Sequence, residues 1–132
     1  MANFVLVHGA WHGGWCWQPV IEQLGAAGHN VIAPSLSGLA EHQGSLTADI
    51  DLYTHIAVVI EARRAAGFDH YVLCGHSYGG AVITGVAEQD EAAIDGIVYL
   101  DALMLGDGQS PADATGFEPP AGLAVGPMAA LV

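Results

Sequence analysis

Short apolar runs alternate along the chain with stretches in which apolar residues recur at helical spacing. Residues 4–7 are entirely apolar and end at His8-Gly9, which predicts a buried parallel strand. The next stretch predicts a helix that stops near Gly28. The predicted strands are residues 4–7, 31–33, 71–74 and 97–100, and the predicted helices carry Trp17, Val20, Ile21 and Leu24, then Leu52, Ile56, Val59 and Ile60, then Val82, Ile83 and Val86.

This order of elements predicts an α/β fold, with a mostly parallel sheet and helices on both faces, because parallel strands need crossover helices. A polar loop is expected over about residues 35–47. The pattern stops after Asp101, and the glycine- and proline-containing remainder is predicted to be loop. A chain of 132 residues is the size of one domain, so we expect residues 1–132 to form a single one.

The charge of the chain narrows its possible partners. The formal net charge is −12, and Arg63 and Arg64 are the only basic residues apart from histidine. A chain with so little positive charge is not expected to bind nucleic acid or an anionic membrane surface. It has neither a secretory signal nor an apolar segment long enough to span a bilayer, so a cytoplasmic location is expected. Cys16 and Cys74 are expected to be reduced core thiols.

The segment Gly75-His76-Ser77-Tyr78-Gly79 fits the pattern G-x-S-x-G, with a predicted strand before it and a predicted helix after it. That setting is typical of a nucleophile elbow, in which a sharp turn exposes the serine hydroxyl. Side chains at Gly75 and Gly79 would collide with the neighbouring strand and helix, and Ser77 should have an unfavourable backbone conformation. The alternative is an ordinary glycine-rich turn in which serine caps the helix.

A second glycine-rich loop, residues 8–14, follows the first predicted strand. In hydrolases with such an elbow, the oxyanion is bound by the N–H after the nucleophile, here that of Tyr78, and by an N–H of this loop. A phosphate cradle is disfavoured because the chain has no Gly-Lys-Ser/Thr. His8 is expected to brace the loop through backbone hydrogen bonds. His8 and His12 lie on a loop rather than a helix face, so no metal or other cofactor is expected.

The segments FVLVHGAWHGGWCW (residues 4–17), Gly28-His29 and GHSYGG (residues 75–80) resemble the α/β-hydrolase superfamily. The resemblance is to the branch of plant methylesterases and hydroxynitrile lyases with their bacterial esterase relatives, and it extends to about Gln109. It implies Ser77 as nucleophile, the N–H groups of Ala10 and Tyr78 as oxyanion hole, and hydrolysis of a small apolar or aromatic ester through an acyl-enzyme. Lyases of this branch have threonine at the position of Gly9 and glutamate at that of His76, so this chain matches the esterases.

The catalytic acid and histidine of the superfamily follow the serine in the chain, but no histidine follows Ser77 here. The final strands and most of the cap are missing, so the domain is expected to be incomplete at its C-terminal end. Asp101 is either the acid or a loop residue, and His12 is either the base or a residue that orders its own loop. The alternatives to an esterase are a hydroxynitrile lyase-like enzyme, a non-catalytic fragment, and a chain completed by a partner's histidine.

The remaining aromatic residues and histidines carry weaker expectations. Trp11, Trp15 and Trp17 either pack in the core or, most plausibly for Trp11, line a substrate pocket together with His12. Surface or strand-edge positions are expected for the other histidines outside the motifs, which are His29, His42, His55 and His70. An exposed sheet edge after the fourth strand should be covered by the apolar tail, residues 119–132, or by a second copy of the chain.

Overall fold

In the computed structural model, which describes residues 1–39 and 49–116, a four-stranded parallel sheet has the order β2-β1-β3-β4. The predicted parallel sheet is therefore confirmed, with the first and third strands as neighbours. The strands are β1 (Asn3–Val7), β2 (Asn30–Ile32), β3 (Tyr71–Ser77) and β4 (Ile94–Ala102). The α-helices are α1 (Gln18–Ala26), α2 (Leu52–Ala65), α3 (Gly79–Asp90) and α4 (Pro111–Thr115), and single 3-10 turns occupy Gly14–Trp17 and Glu91–Ala93.

Alternate side chains of β1 face opposite sides of the sheet, as the pleat requires. Val5 and Val7 belong to the core that packs against α2 and α3. Leu6 points the other way and packs with Trp17, next to α1. The predicted covering of both faces by helices is therefore confirmed.

The end of the described chain differs from the sequence prediction. α4 occupies residues that were predicted to be loop, so that prediction was wrong there. Ser110 and Asp113 explain the helix: the Ser110 N–H donates to Asp113 Oδ2 at 2.8 Å, and the Asp113 N–H donates to Ser110 Oγ at 3.1 Å. This reciprocal pair is a capping box, and its sequence pattern was a usable signal.

The last strand leaves apolar side chains uncovered. Val98 and Leu100 pair with Cys74 and His76 of β3, and they are 46% and 50% exposed. The tail that was expected to cover such a surface, residues 119–132, lies outside the described residues. Within the described ranges, no helix has the length and apolar character needed to cross a membrane.

A buried polar cluster ties α2, α3 and β3 together near the start of β3. Arg63 Nε donates to Asp90 Oδ2 at 2.7 Å, a second guanidinium nitrogen pairs with Asp90 Oδ1, and the Tyr71 hydroxyl donates to Asp90 Oδ2 at 2.8 Å. The hydrogen bonds from Arg63 hold the pKa of Asp90 below its usual range. One of the two arginines of the chain is thus used inside the fold.

Candidate active site

Ser77 lies at the junction of β3 and α3 in a left-handed backbone conformation, with φ of 53°. Non-glycine residues rarely adopt this conformation because Cβ crowds the backbone. The unfavourable conformation expected of a nucleophile elbow is confirmed. Two other non-glycine residues in the described ranges have positive φ, Trp11 at 67° and Asp101 at 45°, and they lie just after β1 and near the end of β4. The strained positions therefore gather where neighbouring parallel strands end.

The glycines around Ser77 are required by close packing. A Cβ on Gly75 would lie 2.6 Å from the carbonyl oxygen of Gly79, and a Cβ on Gly79 would lie 2.5 Å from that of Val7. Both distances are far below van der Waals contact with atoms of the backbone, which cannot move aside easily. The expected collisions with helix and strand are confirmed.

The peptide that follows Ser77 has a fixed orientation. Its carbonyl oxygen accepts a hydrogen bond from the Leu103 N–H at 3.0 Å. Because a trans peptide is planar, its N–H, which belongs to Tyr78, points away from that carbonyl. The Tyr78 N–H stands just before the first turn of α3, where the helix dipole favours negative charge.

The loop after β1 runs directly against Ser77. A Cβ on Gly9 would lie 2.9 Å from Ser77 Cβ and 3.1 Å from the carbonyl oxygen of His76. The fully buried His8 holds this loop: its Nε2 accepts from the Leu36 N–H at 3.0 Å, so Nδ1 carries the proton and donates to the Gly9 carbonyl at 2.8 Å. The expected bracing role of His8 is confirmed, and it orients the peptide whose N–H belongs to Ala10.

His12 orders its own loop, since its Nδ1 donates to the Ala10 carbonyl at 2.9 Å. Its ring lies 6.3 Å from the His76 ring and 5.8 Å from the Trp15 ring, measured between centroids. In the part of the chain that the structure describes, no hydrogen bond joins Ser77 Oγ to a histidine. The described residues therefore bring together the serine and the candidate N–H donors, but they do not supply a base.

The three tryptophans occupy different environments. Trp17 is 5% exposed and packs in the core, whereas Trp11 and Trp15 are 70% and 63% exposed. The prediction of core packing is therefore correct for Trp17 and wrong for Trp11 and Trp15. Trp11 has a left-handed backbone in the loop, and Trp15 lies in a 3-10 turn that buries Gly14 and Trp17 instead. A pocket role for Trp11 and His12 stays a prediction.

His55 was expected at the surface, and the structure corrects this: the residue is fully buried. Its Nδ1 lies 2.8 Å from the Tyr78 hydroxyl, and its Nε2 lies 2.9 Å from the Ser37 carbonyl oxygen. Burial lowers the pKa of His55. The signal was available, since His55 falls within the apolar stripe of α2 at helical spacing from Leu52 and Val59.

The other histidines and the cysteines add no ligand site within the described ranges. His29 lies half-buried beside β2, His70 is exposed, and His42 lies outside the described residues. Cys16 and Cys74 are free thiols, as expected, and burial raises the pKa of each. No group of three or more histidine, cysteine, aspartate or glutamate side chains is placed there to hold a metal ion.

An open groove of about 620 Å³ lies at the end of the sheet where the strands begin, between α1, β2 and the residues after α2. Asn3, Ile21 and Phe68 are among its lining residues. It is therefore separated from Ser77 by the length of β3, about 20 Å. The groove has no connection with the candidate active site.

Comparison with known proteins identifies a family and several relatives. The family described as "Alpha/beta hydrolase family" matches residues 4–131. A "Carbendazim hydrolyzing esterase" of Nocardioides sp. (strain SG-4G) is 46% identical over 110 residues, which are 83% of this chain and 46% of that protein. "Methylesterase 7" of Arabidopsis thaliana is 36% identical over 104 residues, 77% of this chain and 40% of that protein.

Solved structures agree with the sequence relatives. An extracellular alpha/beta-hydrolase from a Paenibacillus species has a TM-score of 0.77 at 31% identity, over 86% of this chain and 46% of that one. Polyneuridine aldehyde esterase has a TM-score of 0.77 at 27% identity, over 88% and 46%. The chain thus spans less than half the length of these relatives, and both its fold and the resemblance stated from its motifs are confirmed.

Proposed function

Because the chain belongs to the alpha/beta hydrolase family, we propose that it carries the nucleophile and the oxyanion hole of a serine hydrolase of the carboxylesterase type. The observation that supports this most is the left-handed Ser77 at the β3–α3 junction, with the Gly9 loop packed against it. Relatives named as a carbendazim-hydrolysing esterase and, from Sphingobium wenxiniae, as a pyrethroid hydrolase support the same reaction class.

In the proposed reaction, Ser77 Oγ attacks the carbonyl carbon of an ester and its proton passes to a base. The negative charge that develops on the carbonyl oxygen is bound by the N–H groups of Ala10 and Tyr78, each of which contributes about 3 kcal/mol. The bond to the alcohol oxygen then breaks, and the alcohol leaves with a proton. Water hydrolyses the acyl-serine, which releases the carboxylic acid and restores Ser77.

We propose small apolar or aromatic esters as substrates. Trp11 and His12 both lie on the loop that follows β1, and the Trp11 indole is exposed. The net charge of −12 disfavours esters that carry a negative charge of their own. Neutral substrates with an apolar or aromatic group are therefore the best match.

Gly9 favours ester hydrolysis over a lyase reaction. Threonine at this position would bring a Cβ 2.9 Å from that of Ser77, so the loop would have to shift. Because Gly9 and His76 both match the esterases of the branch rather than its lyases, cyanide release from mandelonitrile is expected to be absent. Its detection, together with inert esters, would replace the esterase assignment by the lyase.

The chain of 132 residues should turn esters over inefficiently, because no described histidine activates the serine or the water. Acylation of Ser77 by the activated ester p-nitrophenyl acetate is expected, but it should be slow. Loss of triad members leaves about 10³- to 10⁴-fold catalysis over water, from the oxyanion hole and binding. Steady hydrolysis of p-nitrophenyl acetate should therefore be close to that of the Ser77→Ala variant. Robust turnover that depends on Ser77 would contradict this, and His12→Ala would then show whether His12 or a histidine of a second chain is the base.

The nucleophile is tested by peptide mapping after incubation with p-nitrophenyl acetate. We expect acetyl-Ser77 in the unmodified chain and none at this position in Ser77→Ala. Ser110→Ala is the matched control, since Ser110 is likewise half-buried but lies at the start of α4. Equal acetylation of the unmodified chain and Ser77→Ala would refute the assignment of the nucleophile.

A further inference from the structure

A line of buried hydrogen bonds begins at the side chain of Tyr78. Tyr78 is 4% exposed and its hydroxyl lies 2.8 Å from His55 Nδ1. His55 Nε2 lies 2.9 Å from the Ser37 carbonyl oxygen, which can only accept. The proton of His55 is therefore on Nε2, and Nδ1 accepts from the Tyr78 hydroxyl.

Leu36, the residue before Ser37 in the chain, connects this loop to the other side of the site. The Leu36 N–H donates to His8 Nε2 at 3.0 Å, and His8 Nδ1 donates to the Gly9 carbonyl at 2.8 Å. Residues 36 and 37 are thus held between two buried imidazoles of opposite tautomer. His8, Leu36 and His55 are all fully buried, so an unpaired ring nitrogen of either histidine would be costly, whereas Ser37 is half-buried.

The two ends of this line are the groups that offer the oxyanion N–H donors under the proposed function, Tyr78 and the Gly9–Ala10 peptide. We propose that His55 is a positioning residue: it binds the Tyr78 hydroxyl and the Ser37 carbonyl at once, and together with the Leu103 N–H that holds the Ser77 carbonyl it sets the placement of the Tyr78 N–H relative to the Ala10 N–H. His55 touches no substrate and acts through Tyr78. The inference rests on the proposed function, because the two N–H groups matter only if an oxyanion forms between them.

Tyr78→Phe tests the proposal, since it removes the hydroxyl and keeps the packed ring. Complete loss of one oxyanion donor lowers the rate by about 10²- to 10³-fold, so misplacement of one donor should lower the limiting rate of Ser77 acetylation by p-nitrophenyl acetate about tenfold. The ester concentration at half the limiting rate should not change, because the donors act on the transition state.

The matched control is Tyr99→Phe, which removes a tyrosine hydroxyl bound at 2.8 Å to Thr84 Oγ1 of α3 rather than to His55. It should stay within about twofold of the unmodified chain. His55→Leu should lower the limiting rate at least as far as Tyr78→Phe, and the two changes together should add little, as expected for coupled residues. If His55→Leu does not fold, the comparison of Tyr78→Phe with Tyr99→Phe still decides.

Nuclear magnetic resonance gives a readout that does not depend on activity. The His55 ring should show the neutral tautomer with its proton on Nε2, and the Ala10 amide signal should shift in Tyr78→Phe but not in Tyr99→Phe. An unchanged acetylation rate in Tyr78→Phe, or an equal loss in Tyr99→Phe, would overturn the proposal. If the unmodified chain shows no acetylation at Ser77, the proposed function fails for this chain, and the Ala10 signal alone decides whether His55 couples the two groups.

Discussion

Asp90→Asn tests the buried cluster that joins α2, α3 and β3. The side chains of Asp90 and Arg63 are 8% and 15% exposed, and Asp90 also accepts from the Tyr71 hydroxyl. Asparagine has nearly the same shape but no charge. The substitution therefore leaves the Arg63 guanidinium buried without its counterion while the packing stays in place.

Breaking a buried ion pair by removing one partner costs about 3–5 kcal/mol. Asparagine keeps one acceptor oxygen, so we expect a loss near the lower end, about 3 kcal/mol in the free energy of unfolding. Tyr71→Phe removes only one hydrogen bond to a charged group and should cost about 1.5 kcal/mol. Asp95→Asn is the control, because the His70–Asp95 pair has side chains that are 65% and 58% exposed, and its loss should leave stability unchanged.

The measurement is urea unfolding followed by far-ultraviolet circular dichroism at neutral pH. The midpoint should fall most for Asp90→Asn, less for Tyr71→Phe and not at all for Asp95→Asn. Hydrogen bonds from Arg63 lower the pKa of Asp90 in the folded state. The contribution of the Asp90 carboxylate to the free energy of unfolding is therefore complete above about pH 4 and is lost as the pH falls through the pKa of the folded state. The difference in urea midpoint between the unmodified chain and Asp90→Asn should therefore become smaller in acid. Equal midpoints for Asp90→Asn and Asp95→Asn at neutral pH would refute the reasoning.

Three further outcomes are expected. Gly79→Ala should lower the thermal midpoint steeply because its Cβ would lie 2.5 Å from the Val7 carbonyl oxygen, whereas Gly25→Ala in α1 meets nothing within 4 Å and should raise the midpoint slightly. Burial lowers the pKa of His55 below 6.5, so the unfolded chain takes up the proton first as the pH falls. Urea titrations at about pH 7.5 and 5.5 should accordingly show a loss of stability in acid that is smaller in His55→Asn. If a second copy covers the exposed face of β4, sedimentation should detect self-association of the chain. Val98→Glu should weaken this self-association, whereas Val20→Glu on α1 should not. A chain that sediments as a monomer would contradict this proposal.

The sequence pattern predicted the order of the elements because each apolar run has the period of one structure. It placed the start of β4 too late, since Asp95 and Gly96 interrupt the apolar run although the strand continues through them. Asp95 is an extra residue there, between the pairs Tyr71–Ile94 and Val72–Gly96. It also left out α4, whose capping pair is polar and whose helix is short. Periodicity detects packing against the core, and these segments depend on backbone pairing and local capping instead.

The elbow could be predicted because its residues form a short local pattern, although the requirement for glycine at Gly79 comes from Val7 of β1. Ser77, Gly75 and Gly79 lie within a few residues of each other, and the close approach of Gly79 to Gly75 within the turn requires glycine at Gly75. The environment of His55 could not be predicted in the same way, because Ser37 and Tyr78 lie 18 and 23 residues away in the chain. Its position on the apolar stripe of α2 indicated burial, but only the tertiary structure shows which atoms satisfy its two nitrogens.

Under the proposed function, the engagement of Arg63 by Asp90 has a consequence for product release. It withdraws one of the two arginines into the fold and leaves Arg64, 59% exposed, as the basic side chain at the surface of a chain with net charge −12. A carboxylic acid freed by ester hydrolysis is an anion at neutral pH, so the field of the protein repels it, while the neutral ester approaches unhindered. Inhibition by acetate should accordingly be weak at low ionic strength and grow as added salt screens the repulsion.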